Sequence, residues 1–376
     1  MSDQETSAHK KVSVDEIRPG MYVVELDRPW LQTSYMSHHK IIQSEEDIEK
    51  YKRDGIRELV IDTTRGVDVG CEPADRAQAP LGTQNHEAGS APISKLAPRP
   101  PSAAEIALRP LVKELEAART IHDDALATAQ NIFDGVGSGL PVNSHAAKQV
   151  VTNLIGSITR SPEANLLLMQ LRRFQKDSFT HAVNVCVLSL VVSTLEGFES
   201  DAAALGLGAM LHDVGETRLP RNLIRKREAF TDSELRLVEQ HPQLGATLLP
   251  QSDAIPPLAR RIVLEHHERI DGSGYPGGTR GDDISRSSQV VAITDMYDDM
   301  LSGRNQAVLQ PIEVLRQMYL RSNAGALDRN LIEKFIRCLG VYPIGSLVEL
   351  NTGERGIVIA ANKRSEERRV GKECRL

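Results

Sequence analysis

The sequence predicts a mainly α-helical protein with a small α+β unit at its N-terminus and a short β-hairpin near its C-terminus. Three observations carry this expectation. Residues 104–342 show helical periodicity with no intervening run of strands, residues 11–66 alternate strand and helix signals, and PIGSLVELNTGERGIVIAAN at 343–362 reads as two strands around a turn. The implied division is an N-terminal domain over 1–69, a linker over 70–103, a helical domain over 104–342, a hairpin over 343–364 and a tail over 365–376.

In the first unit GMYVVELD (20–27) alternates like a half-buried strand. SEEDIEKYKRDG (44–55) has a serine cap, early acids and a glycine stop, which predicts a helix, and IRELVIDT (56–63) predicts a second strand. Residues 70–103 hold six prolines and no apolar periodicity, a linker composition. Beyond it, the stretch from Ala103 to Phe133 is one long amphipathic helix with an expected break at Pro110. THAVNVCVLSLVVSTL is apolar on nearly every face and so predicts a central buried helix, and DAAALGLGAMLHD predicts another that ends at Gly215. TDSELRLVEQHPQLGATLL reads as a single helix capped by threonine or aspartate. The tail EERRVGKECRL (366–376) has dense mixed charge and no apolar pattern, and reads as translated adapter sequence rather than native chain.

Composition narrows the function. Of 376 residues, 40% are hydrophobic and 26% charged, ordinary for a globular protein with a real core. A net charge of -6 argues against a DNA-binding role, which ordinarily needs a basic face. Cys71, Cys186, Cys338 and Cys374 form no CxxC pair, which favours a reducing compartment. MSDQETSAHKK carries no signal-peptide core, and the longest apolar run, 182–195, is interrupted by Asn184, Ser189 and Ser193. It is shorter than the roughly 20 residues that span a bilayer. The expectation is a cytoplasmic protein without membrane insertion.

Seven polar residues interrupt apolar helical segments: His181, His212, Asp213, His241, His266, His267 and Asp295. Any one of them alone is most simply a hydrogen-bonded core residue. As a set, their burial cost is shared only if something cationic sits among them. Mixed imidazole and carboxylate ligands suit Fe, Mn, Ni or Zn, and seven ligands exceed the needs of one tetrahedral ion. Two ions about 3.5–4 Å apart would activate water for displacement at phosphorus, with Asp213, beside His212, as the natural bridge.

In order and spacing, His181, HD at 212–213, HP at 241–242, HH at 266–267, DGSGYP at 271–276 and DMYDD at 295–299 resemble the HD-GYP family of HD-domain metal-dependent phosphohydrolases, over roughly residues 165–340. RPGMYVVELDRPW (18–30) resembles the short domain that often precedes it. The resemblance implies an all-helical HD-type core and hydrolysis of cyclic di-GMP to pGpG and in some members GMP, the 3′-oxygen leaving as a metal-activated water attacks. It implies two divalent transition-metal ions, iron with manganese or nickel as alternatives, held by His181, His212, Asp213, His241, His266, His267 and Asp295. It assigns Lys226, Tyr275 and Arg304 to the substrate, and leaves open a homodimer and contacts with diguanylate cyclase (GGDEF) proteins through the GYP loop.

The chain also departs from the family pattern. HDVGE puts Glu216 where the family carries a lysine beside the catalytic Asp213, Gln289 stands where an arginine is common, and Ala307 replaces a base after Arg304. Asp177, one turn before His181, stands where trinuclear members carry a glutamate, which makes it the candidate ligand for a third ion. The ligand set is complete while the phosphate clamp is thinned. An active phosphodiesterase and a weakly active cyclic di-GMP sensor or interaction scaffold therefore both stand, with a hydrolase of another nucleotide as a third reading.

Overall fold

The computed structural model describes residues 9–27, 40–68, 103–172, 177–196, 201–224, 226, 228–250, 254–303, 308–349 and 355–359. The chain forms two units, Met1–Ala107 and Leu108–Leu376. The linker bar its last residue, and the tail, lie outside the described residues.

The first unit is an antiparallel four-stranded sheet in the order β1-β4-β2-β3, formed by β1 (His9–Ser13), β2 (Tyr22–Leu26), β3 (Lys40–Ile41) and β4 (Glu58–Asp62), with helix α1 (Glu45–Arg53). Val12, Met21, Val23, Ile48, Tyr51, Leu59 and Ile61 make its core. Acids at Glu45, Glu46 and Asp47 and bases at Lys50, Lys52 and Arg53 complement the α1 dipole. Sequence patterning missed β1 and β3. HKKVS buries only Val12, and β3 is two residues long, so neither carries an alternation to read.

The second unit is helical: α2 (Ala103–Gly137), α3 (Ser144–Arg160), α4 (Pro162–Arg172), α5 (Ser178–Glu196), α6 (Ala202–Leu211), α7 (Arg221–Ile224), α8 (Asp232–Val238), α9 (His241–Leu248), α10 (Pro257–Glu265), α11 (Arg286–Ser302), α12 (Pro311–Asn323) and α13 (Arg329–Leu339). A hairpin of β5 (Leu347–Glu349) and β6 (Arg355–Ile357) follows. Helix α5 is the central element and packs on α3, α4, α6, α11 and α13. Among the described helices it alone is long and apolar enough to cross a bilayer. It is buried within the protein from Thr180 to Ser193, so its apolar surface is already used.

Three boundaries differ from the sequence reading. Pro110 does not break α2, which runs through it. Helix α6 ends at Leu211 rather than Gly215, and a 3₁₀ turn follows at Val214–Arg218. The stretch from Thr231 to Leu249 is two helices. Thr231 and Glu234 form a reciprocal capping box at the start of α8, which ends at Val238, and α9 starts at His241 with Pro242 in its first turn. Both unforeseen breaks flank a histidine, His212 or His241, and so set where its ring lies.

Candidate metal centre

The seven residues selected from the sequence as candidate ligands converge, from α5, α9, α11 and the ends of α6 and α10. Histidines 212, 241 and 266 sit at helix junctions: His212 and His266 are the C-caps of α6 and α10, and His241 opens α9 three residues after the last residue of α8. The last carbonyls of a helix have no intrahelical partner. Each imidazole uses one, Nδ1–H donating to Ala209 O at 2.7 Å, Val238 O at 2.7 Å and Val263 O at 2.9 Å respectively. A carbonyl only accepts, so each Nδ1 carries the proton and each Nε2 turns inward with its lone pair.

Those lone pairs surround Asp213. Its Oδ1 lies 3.3 Å from His241 Nε2 and 3.7 Å from His266 Nε2, while its Oδ2 lies 3.4 Å from His212 Nε2 and 3.8 Å from His181 Nε2. Asp295 closes both sides, with Oδ1 at 3.0 Å from His181 Nε2 and 3.8 Å from His212 Nε2, and Oδ2 at 3.9 Å from His267 Nδ1. One group of ligand atoms comes from Asp213, His241, His266 and His267, another from His181, His212 and Asp213, and a third from His181, Asp295 and Asp299. Asp213 is common to the first two, and His181 to the last two.

This donor set fits divalent transition-metal ions. Among the described residues His212 Nε2 is fully buried without a well-formed hydrogen bond, its nearest acceptor being Asp213 Oδ2 at 3.4 Å, a costly state for an isolated imidazole. His241 Nε2 and His266 Nε2 face each other at 3.0 Å, and with both Nδ1 atoms protonated this contact needs a cation between them. Burial pushes His241 down, but Asp213 and Glu216 outweigh it and raise its pKa above 6.5, whereas burial holds His266 near 4. His212 behaves like His241: burial lowers it, and Asp213 with Asp295 raise it further. His267 is driven well below 6.5 by burial and by His266. Burial also raises Asp295, yet the His181 contact and the surrounding imidazoles hold it ionised.

A close backbone approach fixes this geometry. A Cβ on Gly215 would lie 1.9 Å from His241 O and 2.5 Å from Gly245 N, so only glycine lets the 3₁₀ turn pack against α9. At the other edge, buried Glu268 accepts from Gly277 N at 2.7 Å and Thr279 N at 3.0 Å, folding the DGSGYP loop back. A Cβ on Gly274 would meet His267 O at 2.4 Å. The loop thus lays the Tyr275 ring on His267, with centroids 4.6 Å apart and planes 29° apart, and burial pushes its hydroxyl pKa up.

The remaining sequence-selected residues are placed less uniformly. Glu216 accepts from Ser178 Oγ at 3.1 Å, beside the centre. Lys226 is held by Glu234, Nζ to Oε2 at 2.5 Å, rather than open to a ligand. Gln289 donates to Ile284 O at 3.2 Å. Asp177 is exposed, its carbonyl accepting from His181 N. Arg304 and Ala307 lie outside the described residues. Sequence reasoning missed Asp298, Asn184, Glu268 and Arg269. Asp298 has a readable signal, three residues after Asp295 on the same helical face. Arg269 does not: its Nη1 donates to His266 O and Glu268 O, a contact created only by the loop.

Comparison with known proteins bears on both units. Residues 9–147 match a domain of unknown function (DUF3391), and residues 164–331 match the HD domain. The chain is 30% identical over 359 residues to the cyclic di-GMP phosphodiesterase PA4108 of Pseudomonas aeruginosa, covering 95% of this chain and 83% of that protein. It is 35% identical over 119 residues to the cyclic di-GMP phosphodiesterase response regulator RpfG of Xanthomonas campestris, covering 31% of this chain and 32% of RpfG. A 3′3′-cGAMP-specific phosphodiesterase 2 of Vibrio cholerae is 28% identical over 160 residues, covering 42% of this chain and 31% of that protein.

Proposed function

Because this chain belongs to the HD-GYP family of HD-domain phosphohydrolases, we propose that it is a metal-dependent phosphodiesterase that opens cyclic di-GMP to linear pGpG, with GMP as a further product. The observation that supports this most is the division of Asp213, whose two oxygens face two different histidine sets. In this reading His181, His212 and Asp295 hold one divalent transition-metal ion and His241, His266 and His267 the other. Iron is the proposed metal, with manganese or nickel as alternatives. When bound, the ions supply Lewis acidity and an activated water for displacement at phosphorus.

The chain's own residues supply orientation. Asp213 spans the two ligand sets, Asp295 keeps its charge among the imidazoles, and the Glu268-pinned loop holds Tyr275 over His267 as one wall of the cleft. Lys226 reaches a substrate phosphate only by leaving Glu234. Arg304 is the other proposed phosphate contact. The proposed compartment is the cytoplasm, where a nucleotide second messenger would be met.

A second reading, a cyclic di-GMP-binding module with low turnover, draws on Glu216. That carboxylate stands close enough to His241 to raise its pKa, and it adds negative charge where a doubly anionic substrate would approach.

Full-length protein loaded anaerobically with Fe(II) or Mn(II), given cyclic di-GMP and 3′,3′-cGAMP in separate reactions, decides among these. Release of pGpG from cyclic di-GMP supports the enzyme. Binding without product supports the module, and preferential cleavage of 3′,3′-cGAMP overturns the proposed substrate.

A further inference from the structure

Three of the centre's histidines take their Nδ1 partner from a helix end, and His181 cannot. It lies in the first turn of α5, where the unpaired backbone groups are N–H donors rather than carbonyls. A side-chain acceptor is needed, and α11 provides it. His181 Nδ1 lies 2.7 Å from Asp298 Oδ2, and Asn184, one turn along α5, donates Nδ2–H to Asp298 Oδ1 at 3.0 Å. All three side chains are buried. Asp298 is therefore held between two groups of one helix while its own helix contributes Asp295, 3.0 Å from His181 Nε2. A carboxylate drawing on Nδ1–H leaves more electron density at Nε2 than a backbone carbonyl does, and such partners hold a ligating ring in one orientation.

We propose that Asp298, steadied by Asn184, is a positioning residue that fixes His181 with its proton on Nδ1 and makes the His181–His212–Asp295 ligand set the tighter of the two for a divalent transition metal. This rests on the metal-centre reading above. It assigns to an unforeseen carboxylate the inequivalence of two ligand sets that share Asp213. Ions are thereby taken up in order, with the His181 set filling first.

Two measurements test it. In metal-free, histidine-labelled protein, the His181 Nδ1–H resonance, assigned by its loss in His181→Gln, is expected downfield and protected from exchange. It should vanish in Asp298→Ala and persist in Asp298→Asn, whose amide oxygen still accepts. Titration with Zn(II) should show two steps in the wild type. Asp298→Ala should weaken the tighter step by about 10–100-fold and leave the weaker one unchanged, with Asp298→Asn in between. Asn184→Ala should give a smaller loss at the same step, which keeps the test available if Asp298→Ala fails to fold. Two bound ions with both steps unchanged, or both weakened equally, overturn this proposal alone. Wild-type protein that binds no metal overturns the metal reading and the affinity claim together, and is told apart by an intact Nδ1–H resonance.

Discussion

Replacing Gly215 by alanine tests whether the contact between the 3₁₀ turn and α9 builds the centre. The added Cβ would stand 1.9 Å from His241 O and 2.5 Å from Gly245 N, against an ordinary contact of 3.4 Å or more, a shortfall of 3.4 − 1.9 = 1.5 Å. Both obstacles are backbone, so no side chain can rotate away. Overpacking in a rigid core costs about 1–3 kcal/mol, and a clash with backbone belongs at or beyond the upper end. At roughly 2–4 °C per kcal/mol for a unit of this size, the melting temperature should fall by about 6–12 °C. The movement pushes His241 away from Asp213, so metal content should fall as well. Gly156→Ala in α3 is the control. Its Cβ meets only Arg160 Nη1, at 3.7 Å, and a helix-interior alanine should stabilise by roughly 0.5–1 kcal/mol. Differential scanning fluorimetry with elemental analysis reads both. A Gly215→Ala protein that melts within about 2 °C of wild type and keeps its metal would refute the reasoning.

Changing His212 and Asp213 together to alanine removes the shared carboxylate and the orphaned imidazole, and should abolish metal content and hydrolysis while the helical circular dichroism persists; retained metal would count against the assignment. Glu216→Lys exchanges a carboxylate beside Ser178 and His241 for a cation, so turnover of cyclic di-GMP should rise at unchanged metal content. A unit-charge contact near 4 Å is worth about 4 kcal/mol at an effective dielectric of 20, and solvent reduces it, so a gain of about tenfold is expected; flat turnover would make Glu216 a bystander. Acidity should release metal. His212 and His241 have raised pKa values, so protons compete for their Nε2 atoms from above pH 6.5 downward, and the melting-temperature gain from added metal should shrink as pH falls towards 6. In the metal-free protein the same two groups stabilise the fold at low pH and lose that contribution as pH rises through their raised values. His266, held near 4, acts oppositely and costs stability as pH falls from 6.5 towards 4. A metal-induced gain that is flat or growing toward pH 6 would contradict the ligand assignment.

Much of this centre was legible in the chain because buried imidazoles and carboxylates stand out against apolar helical runs. His181 interrupts a segment that is otherwise almost wholly apolar, and HD and HH each follow one. Helix identity was legible for the same reason, since α5 and α6 have no polar face to confuse the period. What escaped depends on partners distant in sequence. Asp298 shares a helical face with Asp295 but reads as one acid among several in DMYDD, and its meeting with His181, 117 residues away, is what singles it out. Lys226 is assigned to the substrate by resemblance, and the Thr231–Glu234 cap that engages it becomes visible once α8 starts where it does. The junction between α8 and α9 was read as continuous helix because the periodicity survives the break, although His241-Pro242 is itself a start signal. Strand β1 escaped because Val12 is the one buried residue of its five, too little for an alternation to show.

The metal-to-chain ratio of full-length protein, prepared anaerobically with iron supplied and measured by elemental analysis, tests the central claim most directly. Two ligand sets sharing Asp213 predict about two transition-metal ions per chain. A ratio near one, or a metal-free protein, would contradict the account.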